Sequence, residues 1–168
     1  MAIHWYNHFN KYKRLKFEEI KKRGFSFANL IAPSAVVRAS TIGEGNWIED
    51  LVCLEAHTII GDNNIFRTGS LLSHNSIVGN HNVFVGKACI AGTCTIGDNN
   101  YLGINSLVFN DRTIGNNNII GGGAILKQSL KDANIVTAPN SHCEQSTEKK
   151  LEFVLSPMGN LLTAMSNG

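Results

Sequence analysis

Proline and charge are both scarce: the chain of 168 residues holds three prolines, and 17% of it is charged. With 43% apolar residues beside so little charge, it does not have the composition of a disordered chain. No run of 18 apolar residues exists, so neither a transmembrane helix nor membrane insertion is expected. The opening "MAIHWYNHFNKYKRLK" lacks an apolar centre and a small-residue cleavage site, which argues against a signal peptide. The four cysteines, Cys53, Cys89, Cys94 and Cys143, form no CxxC pair. Reduced thiols in a cytoplasmic protein are the expectation.

The formal net charge is only +2, but it is unevenly spread. Residues 1–29 carry seven Lys/Arg against two Glu, residues 30–131 six against seven acids, and residues 132–168 two against four. The early basic residues fall where the spacing is helical. They read as a solvated helix face, and no nucleic-acid partner is expected.

Glycine, by contrast, is plentiful at 16, which beside so little proline suggests repeated tight turns. It is also periodic. Ile42-Gly43, Ile60-Gly61, Val78-Gly79, Ile96-Gly97 and Ile114-Gly115 follow at intervals of 18. Within each interval runs a period of six. From Ile42 it passes through Ile48, Leu54, Ile60, Phe66, Leu72, Val78, Phe84, Ile90, Ile96, Leu102, Val108, Ile114, Ile120 and Leu126, and all fifteen are apolar. Four residues after each anchor comes a small or amide residue, among them Asn46, Val52, Thr58, Asn64, Ser70, Ser76, Cys94 and Ala124. Arg112 is the one misfit and is expected to mark a local distortion.

Six is neither the helical period nor the alternation of a simple strand. It fits short strands joined by turns around a triangular prism. Three hexads make a coil, and coils stack at the roughly 4.7–4.9 Å spacing of paired strands. Asn46, Asn64, Asn82, Asn100 and Asn118 then form a vertical ladder able to pass amide hydrogen bonds between coils. The segments "GDNN", "GNHN" and "GNNN" share one corner, where Gly and Asn tolerate positive φ. The expected class is all-β, a parallel β-helix of five to six coils of 18 residues with a short helix before it and a short extension after it.

Residues 1–32 read as the N-terminal helix and a lead-in strand, 33–131 as the β-helix, and 132–168 as a closing loop and C-terminal extension. In residues 8–23, Phe9, Tyr12, Leu15, Phe17 and Ile20 recur near helical spacing, and Gly24 supplies a stop. "STEKKLEFVLSPMGNLL" reads as a short amphipathic helix broken at Pro157.

The hexads, in words Leu/Ile/Val-Gly-x-x-small-x, resemble the hexapeptide-repeat acyltransferases. Within these, "LSHNSIVGNHNVF", "IAGTCTIGDNNYLGINS" and "IGNNNIIGGGAILKQSL" resemble sugar acetyltransferases of the sialic-acid O-acetyltransferase and amino-sugar N-acetyltransferase type. The resemblance spans roughly residues 20–140. It implies a left-handed helix, a hand that periodicity alone does not give, since left-handed crossovers are otherwise rare. It also implies a homotrimer with acetyl-CoA in the groove between adjacent prisms and no metal. The acceptor it implies is an amino or hydroxyl group of a sugar, possibly nucleotide-linked, bound for surface polysaccharide. By position the base is His74. Cofactor contacts fall on Val83, Ile104 and Gly122, with Gly92, Gly103, Gly121 and Lys127 as neighbours.

Two departures stand out. Many members begin with a Rossmann-like nucleotide-sugar domain, whereas "NKYKRLKFEEIKKRG" looks like only the last helix of one. Close relatives place a carboxylate beside the base, whereas His74 is flanked by Ser73 and Asn75. Stacking suggests Glu55 as the substitute, one coil away above Ser73.

The residues bear this chemistry directly. Acyl transfer from a thioester needs a base for the nucleophile, alignment, and donors for the developing oxyanion. Imidazole suits the base role, and nothing in the repeat asks for histidine at position 74. His81 stands where the repeat places Asn63, Asn99 and Asn117 and reads as a turn residue. His57 reads as surface or as a substrate contact. Arg67, Lys87 and Lys127 are candidates for CoA phosphates, each with plain surface charge as the alternative. Two rival readings are a trimeric scaffold without activity and a γ-carbonic-anhydrase-like zinc enzyme. The gaps of 17 and 7 between His57, His74 and His81 do not fit that zinc pattern.

Overall fold

The structure is a computed structural model that describes residues 11–139. The expected C-terminal helix and Cys143 lie outside them. Each hexad becomes a two-residue strand and a four-residue turn, and eighteen such strands run from Leu30–Ile31 to Ile135–Val136. They stack into three parallel sheets of seven, six and five strands, the faces of a left-handed prism of about six turns. Face A carries Ile65–Phe66 and Val83–Phe84, face B carries Leu71–Leu72 and Cys89–Ile90, and face C carries Ile77–Val78 and Thr95–Ile96.

From Trp47–Ile48 to Ile125–Leu126 the second residue of each strand points inward. The anchors from Ile48 to Leu126 are all buried, and Ile42 packs against them from the first coil. Phe66 and Phe84 fill the middle, their rings parallel with centroids 4.5 Å apart. Removing such side chains from water contributes roughly 1.5–3 kcal/mol each, most of it offset by the entropy of ordering the chain.

The asparagine ladder forms at the corner from face C to face A. The backbone N–H groups of Asn64, Asn82, Asn100 and Asn118 donate to the side-chain oxygen of the asparagine one coil before, each at 2.8 Å. The Nδ2 groups of Asn46, Asn64, Asn82 and Asn100 reach glycine carbonyls, as Asn82 does Gly97 at 2.9 Å. A second ladder runs beside it. Oδ1 of Asp62, Asn80, Asp98, Asn116 and Asp132 accepts the N–H of Glu44, Asp62, Asn80, Asp98 and Asn116 at 2.7–2.8 Å. This explains the periodic glycines. A Cβ on Gly43 or Gly79 would stand 2.1 Å from such an oxygen. They are small for want of space. The positive φ belongs to the third turn residue, and to all three corners: Leu51, His57, Asn63, Asn75, His81, Lys87, Thr93, Asn99 and Asp111 all lie between 57° and 61°.

Arg112 marks no distortion of its own coil, because Thr113–Ile114 keeps register with Thr95–Ile96. The irregularity is in the next coil. The strand Ile125–Leu126 is followed by an isolated bridge at Leu130, only four residues after Leu126. The stacking offset falls to 16 residues there. Beside it Arg112 occupies, half-buried, the slot that elsewhere holds a small residue.

Helix α1 (Lys11–Lys22) ends at Gly24, whose φ is +84° and whose N–H bonds Lys21 O at 2.9 Å. It lies along the C-to-A corner. Phe17 is its buried side chain; Tyr12 and Leu15, expected on the packed side, are exposed. Phe17 stacks on Phe27 and meets His81 edge-on, and a Cβ on Gly45 would strike its ring. Lys13 donates to the Asn63 carbonyl, and Lys21 pairs with Glu44 at 2.8 Å.

Candidate active site

The corner from face B to face C is built, coil by coil, from Glu55–Thr58, Ser73–Ser76, Ala91–Cys94 and Phe109–Arg112. His74 lies in the second of these, one residue before the left-handed Asn75. Its side chain is exposed while its backbone is held on both sides. Its N–H donates to Glu55 Oε2 at 2.9 Å, and its carbonyl accepts from Thr93 N at 2.9 Å. Glu55 also takes the Ser73 hydroxyl at 2.5 Å. That hydroxyl and the His74 N–H hold the Glu55 carboxyl below its ordinary range, so it remains a carboxylate. Glu55 therefore grips the turn that carries His74 and does not touch the imidazole.

The ring has other partners. The Asn75 carboxamide lies 3.3 Å from Nδ1, where a group with both donor and acceptor influences which ring nitrogen holds the proton. Below the ring is Gly92, one coil on. A Cβ there would lie 2.6 Å from His74 Cε1 and 2.8 Å from Nε2. Gly92 is the bare floor on which the imidazole rests. Neither Asn75 nor this use of Gly92 was read from the sequence. The offset of 18 between positions 74 and 92 was the available signal.

The remaining expected contacts divide among three places. Gly103, Ile104, Gly121 and Gly122 share the corner from face A to face B; a Cβ on Gly103 would meet Gly122 N at 2.5 Å, and one on Gly122 would meet Ile104 Cγ2 at 3.1 Å. Ile104 is exposed there and borders a cavity of about 380 Å³ with Glu49, Arg67, Thr68, Val85, Gly86 and Tyr101. Arg67 pairs with Glu49 at 2.8 Å in that wall. Lys127 follows face B on the His74 side, its Nζ 5.8 Å from the centre of the Phe109 ring. Val83 is fully buried in face A. Within one chain, His74 and the Ile104–Gly122 surface occupy opposite edges of face B.

His57 shares the corner of His74, while His81 stands on the C-to-A corner under α1, its ring nitrogen 2.8 Å from Asn63 Nδ2. Among the described residues, no three His, Cys, Asp or Glu side chains are grouped to hold a metal. No helix among them is long and apolar enough to cross a membrane.

No protein-family model matches the chain, and no curated protein does. Solved structures do. PerB from Caulobacter crescentus, in complex with CoA and GDP-perosamine, is 30% identical over 75% of this chain and 61% of its own, with a TM-score of 0.72. The acetyltransferase domain of PglB from Neisseria gonorrhoeae is 24% identical over 73% of this chain and 60% of its own, with a TM-score of 0.71. WeeI from Acinetobacter baumannii is 21% identical over 77% and 65%, with a TM-score of 0.67. The chain thus spans 60% and 61% of the length of the first two. Its hexads and its coils together make it a hexapeptide-repeat, left-handed β-helix that resembles the sugar N-acetyltransferases.

Proposed function

We propose that the chain is a CoA-dependent acetyltransferase whose acceptor is an amino or hydroxyl group of a nucleotide-linked sugar, acting in the cytoplasm. The observation that carries this is the setting of His74: an exposed imidazole on a glycine floor, its backbone clamped from the coils on either side. The complex of PerB with CoA and GDP-perosamine supports the substrate classes. In the reaction His74 removes the proton of the attacking amine or hydroxyl. The nucleophile adds to the thioester carbonyl, the oxyanion collapses, and the CoA sulfur leaves with a proton. Gly103, Ile104, Gly121 and Gly122 form a surface with little side chain, against which a pantetheine arm lies close to backbone, and Lys127 is placed for a phosphate.

Because Gly103, Ile104, Gly121 and Gly122 lie on the edge of face B opposite His74, one chain does not surround a ligand. A homotrimer does, the B-to-C corner of one copy facing the A-to-B corner of the next. The outward residues of face B, Val36, Cys53, Leu71, Cys89, Leu107 and Ile125, form an apolar ridge between the two edges. The test is acetyl-CoA turnover against a panel of nucleotide-linked amino and hydroxy sugars. His74→Ala is expected to keep the trimer and lose roughly 10²–10⁴-fold in kcat. Full activity in that variant overturns the assignment, and no acetyl-CoA binding by the parent chain favours a scaffold. Refolding His74→Ala together with Ile104→Asp is expected to restore about one quarter of the parent activity, since random head-to-tail assembly makes that share of intact sites. No restoration overturns the shared site.

A further inference from the structure

On a different corner, α1 and the prism border an open cavity of about 410 Å³ lined by Lys11, Arg14, Asn99, Asn117, Ala133, Asn134 and Ile135. Two of its lining side chains carry buried polar atoms with no hydrogen-bond partner among the described residues: Arg14 Nε and Asn99 Oδ1. Buried polar groups are almost always satisfied, so two orphans lining one cavity call for an occupant. Asn99 is only 8% exposed, and its Nδ2 is already committed to Asn117 Oδ1 at 2.7 Å. What is left is an acceptor seeking a donor. Arg14 is the reverse, a donor seeking an acceptor. Glu18 stands 3.6 Å from its Nε, near enough to offset part of the charge and too far for a hydrogen bond. Lys11 brings a second cation to the same wall.

We propose that this cavity binds a hydroxylated anion, a sugar phosphate in chemical class. Its phosphate would lie against Lys11 and Arg14, one hydroxyl would donate to Asn99 Oδ1, and its C–H face would rest on Ile135 and Ala133. A guanidinium fork suits phosphate oxygens. Two cations on one wall favour an anion there over water alone. The site shares no residue with the His74 corner, so its occupancy is independent of the acetyltransferase reading.

Calorimetry of the full chain at low ionic strength tests it with three probes: inorganic phosphate, a hexose monophosphate and the uncharged hexose. The hexose monophosphate is expected to bind roughly tenfold tighter than inorganic phosphate, and the uncharged hexose not at all. Arg14→Gln and Lys11→Gln are each expected to weaken it by roughly tenfold, and Arg112→Gln, outside the cavity, to leave it unchanged. In NMR spectra the side-chain amides of Asn99 and Asn117 are expected to shift on titration. Three results overturn the proposal: no binding of the hexose monophosphate, equal affinity for it and for inorganic phosphate, or unaltered affinity in both the Arg14 and Lys11 variants.

Discussion

At the scale of single residues, the candidate site depends on what is missing beneath His74. The imidazole lies so close to Gly92 that the smallest added side chain would displace it. Gly92→Ala is therefore expected to reduce kcat by roughly 10²-fold, the effect of moving a reacting group by about 1 Å. The far-ultraviolet circular dichroism should remain that of the parent. An unchanged kcat in a folded Gly92→Ala variant would show that the ring does not need this seat. His74 stands out in the sequence because a repeat makes an intruder visible. Gly92 was legible only as another glycine. Its purpose depends on a neighbour 18 residues away, and glycine in a turn has several competing explanations. Glu55 was placed in the right coil, yet its partner proved to be the backbone N–H and not the ring. Stacking registers say which residues are adjacent, and side-chain rotamers decide which atoms meet.

At the scale of elements, α1 is held by a short list of contacts, two of which titrate. Burial lowers the Lys13 pKa from 10.5 to about 7, and burial also lowers that of His81, with Lys13 adding to the effect. A base whose folded pKa is depressed binds fewer protons folded than unfolded, so folded stability rises with pH between the two values. The Lys13 contribution is full above about 10.5 and is lost progressively down to about 7. Below pH 6.5 the His81 contribution is lost in turn. Glu18 and Asp98 oppose this for His81, and Arg14 adds to it. Thermal melts from pH 7 to 10 should show a rising Tm in the parent chain and a flatter one in Lys13→Met. Equal slopes would mean that Lys13 does not remain buried at this corner. The helix itself was evident from periodicity and its glycine stop. Its docking corner was not, because a 3.6-residue period identifies a face without naming what that face meets. His81 read as a turn residue and is one, with φ of 60°. The same ring also meets Phe17, a contact no local pattern carries.

At the scale of the whole molecule, the fold was nearly transparent in the sequence, because each coil repeats one local solution and the register is a fixed offset. What escaped notice lies where the offset breaks: 17 residues in the first coil and 16 in the last. The ladders make the coils interdependent. Asn82→Ala removes the acceptor of Asn100 N and the donor to Gly97 O, both in the middle of the stack. It is expected to cost roughly 2–4 kcal/mol. Thr95→Ala, on the exposed side of face C, should stay within about 0.5 kcal/mol. Urea unfolding of both measures the contrast, and similar midpoints would deny the ladder a part in stability. The uneven coils have one more effect. A stack of equivalent rungs has open edges at both ends, and a second chain able to match them would extend it without limit. Among the described residues the first coil is one residue short and the last is two short, so the register at each end differs from that of the middle. A chain carrying the 18-residue register of the middle would be out of step by one residue at the first coil and by two at the last, which works against continuous pairing there.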